Sequence, residues 1–142
     1  MILTLEQQVC TLESAKRLKE LGVIQDSYFN WTEYSFSSKG HKKWWSLEEA
    51  SGVYVHDQIS AFTASELGEL LPTNIDYAGE SFLLTINHWN NNNEWQVSYL
   101  GGIYNDEEFE QIFSEPTMVE ALAKMLIYLT EAGLVKPTVG EE

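Results

Sequence analysis

Three histidines and one cysteine are the side chains of this 142-residue chain that are best suited to catalysis or metal binding. His56 and Asp57 are neighbours, which would place them on opposite faces of a strand and prevent a base from meeting its orienting partner. No two histidines have the spacing of a helical metal site, and Cys10 has no second thiol to join it. The sequence therefore predicts no catalytic residue, no metal site and no cofactor.

A basic and aromatic cluster is the pattern most typical of a binding surface. It consists of Lys42, Lys43, Trp44 and Trp45. Adjacent residues of a strand face opposite ways, so one indole ring would be exposed unless both faces of the sheet are covered. Cations beside aromatic rings can stack on bases or bind an acidic partner. We predict a binding surface here, and the alternative is an ordinary solvated basic turn.

The charge of the chain is large, negative and unevenly distributed. The net charge is −14, of which residues 1–43 contribute +1 and residues 44–142 contribute −15. Such a surface repels nucleic acid and anionic membranes but permits a basic protein partner. We therefore expect no direct nucleic-acid partner and no membrane partner. A solubility role alone would also explain the charge.

The length and composition are typical of one domain, which we assign to residues 1–142. A single cysteine excludes a disulfide within the chain and is typical of a reducing compartment. The first residues do not have the pattern of a signal peptide, and no apolar run is long enough for a membrane span. We expect a cytoplasmic protein, with a homo-oligomer possible through Trp44 and Trp45 or through an edge strand.

Three capping boxes predict three helices. A Thr followed three residues later by Gln or Glu occurs at Thr4, Thr63 and Thr117. Apolar residues follow each box at helical spacing, and Gly22 and Gly133 have the position of left-handed residues that end the first and third helices. The expected helices cover residues 5–21, 64–71 and 118–132, and Pro72 stops the second.

Aromatic, β-branched and alternating segments between these helices predict strands. They cover residues 28–36, 44–45, 52–56, 81–89 and 95–100, and the asparagines at 90–93 predict a hairpin tip between the last two. The expected fold class is α+β, with a mainly antiparallel sheet of about five strands and three helices in the order α-β-β-β-α-β-β-α.

The capped segments also carry a family resemblance. The matching segments are residues 4–7, 15–23, 25–29 with Trp31, 61–63, 66–69, 71–72 and 123–129. As a set they resemble a family of small uncharacterised proteins encoded by phages, prophages and mobile elements of bacteria. The resemblance implies an origin and a compartment. We expect a host or phage protein as the partner. It implies no chemistry.

Three functions compete at this point. The first is a non-enzymatic accessory protein of a phage or mobile element that binds another protein. The second is an acidic mimic of nucleic acid that inhibits a host DNA-binding factor, which requires carboxylates along one face. The third is a small-ligand binder or enzyme, with Trp, Tyr, His56 or His88 and a carboxylate in one cleft.

Overall fold

The computed structural model describes residues 4–35, 43–50, 57–77, 79–89, 91–101, 107–108 and 111–136. Twelve helices and strands lie within these ranges. They are α1 (Leu5–Gln8), α2 (Leu12–Glu20), β1 (Phe29–Ser35), β2 (Lys43–Glu49), β3 (Gln58–Ala61), α3 (Ala64–Leu70), β4 (Asn74–Tyr77), β5 (Glu80–Trp89), β6 (Glu94–Gly101), β7 (Glu107–Glu108), β8 (Phe113–Glu115) and α4 (Met118–Glu131). The predicted α+β class is confirmed.

The strands form two antiparallel sheets rather than the single sheet expected from the sequence. In the first sheet β1 lies between β2 and β3, and its register aligns Trp31 with Leu47 on one side and Ile59 on the other. In the second sheet β4, β5 and β6 are consecutive, and β7 and β8 both pair along the remaining edge of β6. The second sheet is therefore four strands wide.

Helix α4 joins the parts of the fold. It packs against β6 and β8 on one side and against α2 and α3 on others. Leu122, Met125 and Leu129 are buried in the core, where they join Val97 and Tyr99 of β6. This burial supplies most of the stabilisation that holds an α-helix on a sheet. None of the helices in the described ranges is long and apolar enough to span a membrane.

The local signals in the sequence are confirmed where they depend on neighbouring residues. The Thr4 box and the Thr63 box both form, with the two reciprocal hydrogen bonds of the motif. Gly22 and Gly133 have φ of 87° and 78°, in the left-handed region that suits glycine. In the hairpin between β5 and β6, Asn93 has φ of 53°.

The first predicted helix, residues 5–21, is wrong as a single element. The chain leaves the helix at Val9, which is extended and forms a bridge with Thr63. Thr11 then caps α2 by accepting from the Ser14 N–H. Because the Cys10 N–H donates to the Phe62 carbonyl at 2.9 Å, tertiary hydrogen bonds replace those of a continuous helix.

The strand predictions are confirmed in part. The segments 28–36, 44–45, 81–89 and 95–100 correspond to β1, β2, β5 and β6, whereas residues 52–56 lie outside the described ranges. Strands β3, β4, β7 and β8 were not expected. They are two to four residues long, so their backbone pairing rather than a residue pattern defines them.

Candidate functional site

The structure separates the residues of the predicted basic and aromatic cluster. Lys42 lies outside the described ranges. Trp44 stacks on Tyr34 with ring centroids 5.5 Å apart, and its side chain is 40% exposed. Trp45 packs against the core, with Lys16 Nζ 5.0 Å from the centroid of its ring.

Lys43 is the only described cation of that cluster, and its Nζ is 3.9 Å from a carboxylate oxygen of Glu33. Because Trp44 and Trp45 alternate along β2, their rings lie on opposite faces of the first sheet. The described residues therefore do not present one continuous basic and aromatic surface. The predicted binding role of Lys43, Trp44 and Trp45 stays a prediction.

His88 is the one histidine within the described ranges, and it contacts its neighbours in the hairpin of β5 and β6. His88 stacks on Trp95 at 4.4 Å, and its Nε2 is 3.3 Å from Asn93 Oδ1. His41 and His56 lie outside the described ranges. Within the part of the chain that the structure describes, no three His, Cys, Asp or Glu side chains are grouped to hold a metal ion.

Cys10 is fully buried between α1 and α2. Burial raises the pKa of its thiol to about 12, and the carboxylates of Glu120 and Glu66 add to this rise, while a hydrogen bond from the Phe62 backbone to the thiol opposes it. A thiol with such a pKa is protonated at neutral pH and is a poor nucleophile. Cys10 therefore belongs to the core.

A groove of about 590 Å³ runs between α2 and α4, and its charges are balanced within the chain. Glu120 accepts from the Thr11 N–H at 3.1 Å and from the hydroxyls of Thr11 and Ser14 at 3.1 and 2.8 Å. Arg17 pairs with Glu131 at 3.0 Å and with Glu20 at 3.1 Å. We refer to this surface as the helix groove.

The segment before β1 is an irregular stretch that is held firmly by side-chain hydrogen bonds. Gln25 donates to the Val23 carbonyl at 3.1 Å and accepts from the Ser60 N–H at 2.8 Å. The Ser27 hydroxyl donates to the Phe29 carbonyl at 2.6 Å. These side-chain hydrogen bonds therefore define the course of residues 23–28 between α2 and the first sheet.

Tyr28 is the last residue before β1, and both its N–H and its carbonyl form hydrogen bonds. Its N–H donates to Glu66 Oε2 at 3.0 Å, and its carbonyl accepts from the Ala50 N–H at 2.9 Å. The other oxygen of Glu66 completes the capping box of Thr63. The Tyr28 side chain is nevertheless 74% exposed, the largest fraction for a large apolar side chain in the described ranges.

Two clefts meet at Tyr28. The first, of about 460 Å³, lies between α3 and the segment before β1, and its lining includes Phe62, Leu70 and the half-exposed Ile24. The second, of about 370 Å³, lies at the start of β1 and the end of β2. Their carboxylates are Asp26, Glu66, Glu69 and Glu49. Among the described lining residues of both clefts there is no Lys, Arg or His.

We refer to Tyr28, Ile24 and these four carboxylates as the Tyr28 site. Sequence reasoning treated Tyr28 only as the first residue of a strand. The available signal was the pair of aromatic residues at 28 and 29, because neighbours in a strand cannot both face the core. The surrounding carboxylates come from 26, 49, 66 and 69, and no sequence pattern shows that these positions meet.

Comparison of this chain with protein-family models, with curated proteins and with solved structures gives no match. The geometry and charge of the site itself are therefore the observations that bear on function.

Proposed function

We propose that this chain is a non-enzymatic protein-binding domain whose Tyr28 site binds a basic segment of another protein. The observation that supports this most is the presentation of Tyr28: its backbone is fixed by two hydrogen bonds, whereas its ring is 74% exposed. An exposed aromatic ring on a fixed backbone loses little conformational entropy when a partner covers it. Tyrosine is also enriched at protein interfaces.

The charges around Tyr28 favour a cationic partner. Four carboxylates line the two clefts, and no basic residue within the described ranges offsets them there. A Lys or Arg side chain can lie over the tyrosine ring while its charge meets a carboxylate, with a cation–π contribution of about 0.5–1 kcal/mol at an exposed site. Apolar walls at Ile24 and Leu70 would accept an aliphatic side chain beside that cation.

The same charges distinguish this partner from others. A net charge of −14 disfavours a nucleic acid and also a second copy of this chain, because each would bring further negative charge to the surface. The resemblance of the capped segments favours a host or phage protein as the source of the basic segment. Mimicry of nucleic acid stays a prediction, with several described carboxylates, among them Glu115, Glu120 and Glu131, already engaged within the chain.

A peptide titration tests the proposal. The probe is an acetylated Arg-Lys-Leu-Arg-Lys peptide, and calorimetry should give a dissociation constant of about 10–100 μM, which weakens as salt is added. The control peptide has Glu in place of each Arg and Lys and should not bind. Amide resonances of Tyr28, Ala50 and Glu69 should shift in the complex with the basic peptide.

Matched variants locate the contact. Tyr28→Ala should weaken the basic peptide at least about tenfold, as expected for an interface anchor. Trp44→Ala removes the exposed ring of the sequence-predicted cluster and should leave the affinity unchanged. An unchanged affinity in Tyr28→Ala, or a loss in Trp44→Ala alone, would refute the proposed site. Binding of the acidic control peptide with equal strength would refute the role of charge.

A further inference from the structure

A cavity of about 320 Å³, separate from the helix groove and from the two clefts at Tyr28, lies where α1 ends and α3 and α4 begin, against β6. Its walls include Ala64, Trp95, Pro116, Met118 and Val119, with the Gln7 side chain at its rim. This volume is at the lower end of the range for small-molecule sites. The described lining consists mostly of carbon, which is the usual character of such sites.

The cavity differs from the rest of this surface because it is free of charge. The chain carries 30 charged side chains among 142 residues, yet the described lining of this cavity contains no Asp, Glu, Lys, Arg or His. An ion would therefore lose hydration on entry without meeting an opposite charge. The lining selects for an uncharged molecule.

Two groups at the cavity favour a flat ring. Trp95 has one neighbour fixed against its ring, since His88 stacks on it at 4.4 Å with an interplanar angle of 23°. Aromatic pairs of this kind are stabilised beyond the effect of their buried area. Met118 supplies a polarizable thioether, which also contacts rings favourably. An aromatic ring is the group that these walls would hold best.

The polar side chains that line the cavity are uncharged, and two of them, Gln7 and Trp95, offer hydrogen-bond donors. Gln7 Oε1 accepts from the Thr4 N–H at 2.9 Å within its capping box, which leaves the Gln7 amide nitrogen as a donor. The Trp95 indole N–H has no acceptor in the part of the chain that the structure describes, and an indole nitrogen can only donate. A ligand with an acceptor such as an amide or ketone oxygen would satisfy these two donors, and the hydroxyls of Thr63, Ser65 and Thr117 could accept from an N–H of the same ligand.

We propose that this cavity binds a small, uncharged aromatic molecule that carries a carbonyl acceptor, the class represented by aromatic amides. The proposal does not depend on the Tyr28 site, because no residue that defines the Tyr28 site lines the cavity. The small-ligand alternative from the sequence stays a prediction: His88 stacks on Trp95 but is not part of the described lining, and that lining holds no carboxylate.

Nuclear magnetic resonance with benzamide as the probe tests this site on the unmodified chain. We expect shifts at the amides of Ala64, Met118 and Val119 and at the Trp95 indole N–H, with a dissociation constant of about 1 mM or tighter. Tyr28 should not shift. Benzoate and benzamidine have nearly the same shape with a negative or positive charge, and each should bind the cavity at least about tenfold more weakly.

A filled cavity provides the matched control. Ala64→Leu should abolish the benzamide shifts, whereas Ala132→Leu, at the exposed end of α4, should preserve them. Absence of shifts in the unmodified chain, shifts centred elsewhere, or equal binding of benzoate would each overturn the proposal. The titration of the unmodified chain can refute the proposal without any variant, so the test remains decisive even if the Ala64→Leu protein fails to fold. If the unmodified chain binds benzamide but does not bind the basic peptide at Tyr28, only the proposed function is refuted.

Discussion

Glu66 and Glu120 occupy the same position in two helices, and the fold uses them differently. Each is the third residue after a capping threonine. Glu66 returns to the Thr63 N–H at 2.9 Å and completes its capping box, and its other oxygen holds Tyr28. The Glu120 carboxylate instead turns to Thr11 and Ser14 at the start of α2. The capping box predicted at Thr117 is therefore only half formed.

The surfaces around these two residues differ in the same sense. In the helix groove the charges of Lys16, Arg17 and Lys124 offset those of Glu13, Glu20 and Glu120. At the Tyr28 site four carboxylates have no cation beside them in the described lining. The comparison shows that Glu120 is bonded within the fold among balanced charges, whereas Asp26, Glu49 and Glu69 lie beside an exposed ring with no described cation in the same lining.

The largest expected effect concerns Cys10, whose thiol interacts electrostatically with the carboxylates of Glu66 and Glu120. Because burial, Glu120 and Glu66 raise its pKa from 9.0 to about 12, the folded chain has about 1000-fold less thiolate than the unfolded chain near neutral pH. Alkylation by iodoacetamide, followed by mass spectrometry, should be slower in the native protein by at least this factor. Comparable rates in native and urea-unfolded protein would contradict this placement.

The same thiol gives the chain a defined response to alkaline pH. The pKa of the Cys10 thiol is higher in the folded chain than in the unfolded chain. The contribution of the protonated thiol to the free energy of unfolding is therefore complete below about pH 9 and is lost progressively as pH rises toward about 12. Cys10→Ala removes this contribution. The difference in the free energy of unfolding between Cys10→Ala and the unmodified chain should therefore shrink across that interval, and a constant difference would count against it.

Removal of the Glu120 carboxylate should have the next largest effect. Glu120→Ala deprives Thr11 and Ser14 of the acceptor for three hydrogen bonds and should lower the free energy of unfolding by about 2 kcal/mol in urea titrations. Glu69→Ala removes an exposed carboxylate of the Tyr28 site and should cost less than about 0.5 kcal/mol. An equal loss of stability in the two variants would contradict the proposed difference between the helix groove and the Tyr28 site.

Substitution of Glu66 should lower both the stability of the fold and the affinity for the basic peptide. Glu66→Ala should cost about 1 kcal/mol of stability, because the Thr63 capping box is lost, and should also weaken the basic peptide about tenfold. Glu120→Ala should leave the peptide affinity unchanged. Calorimetry on the two variants at a temperature where both remain folded separates these outcomes, and a loss of affinity in Glu120→Ala would contradict the comparison.

The smallest expected effect concerns the ion pair of Lys124 with Glu115, whose Nζ and carboxylate oxygen are 2.6 Å apart. The pairing raises the pKa of Lys124, so its contribution is present at neutral pH and is lost as pH rises through that raised value. The Lys124 side chain is 41% exposed, and Lys124→Met should therefore cost no more than about 1 kcal/mol. Urea titrations at low and high salt check this, and the cost should fall as salt is added.

Local signals in the sequence predicted the caps, the glycine ends and the β5–β6 hairpin, because each depends on residues a few positions apart. The break at Val9 was not predictable in this way, since it depends on pairing with Thr63 and on a bond to Phe62. The position of the Glu120 carboxylate was not predictable for the same reason. Its oxygens accept hydrogen bonds from Ser14 and Thr11, which are 106 and 109 positions away in the sequence. The Tyr28 site likewise assembles three segments that only the fold brings together, which are residues 24–28, the end of β2 and α3.

A charge exchange at Glu69 tests the central claim most directly. Glu69 lines the first cleft and is exposed, so Glu69→Lys should keep the fold while it reverses one charge of the Tyr28 site. The variant should bind the basic peptide at least about tenfold more weakly. A peptide in which one Arg is replaced by Glu should recover part of that loss with the variant and lose affinity with the unmodified chain. Identical affinities for all four combinations would contradict a basic partner at Tyr28.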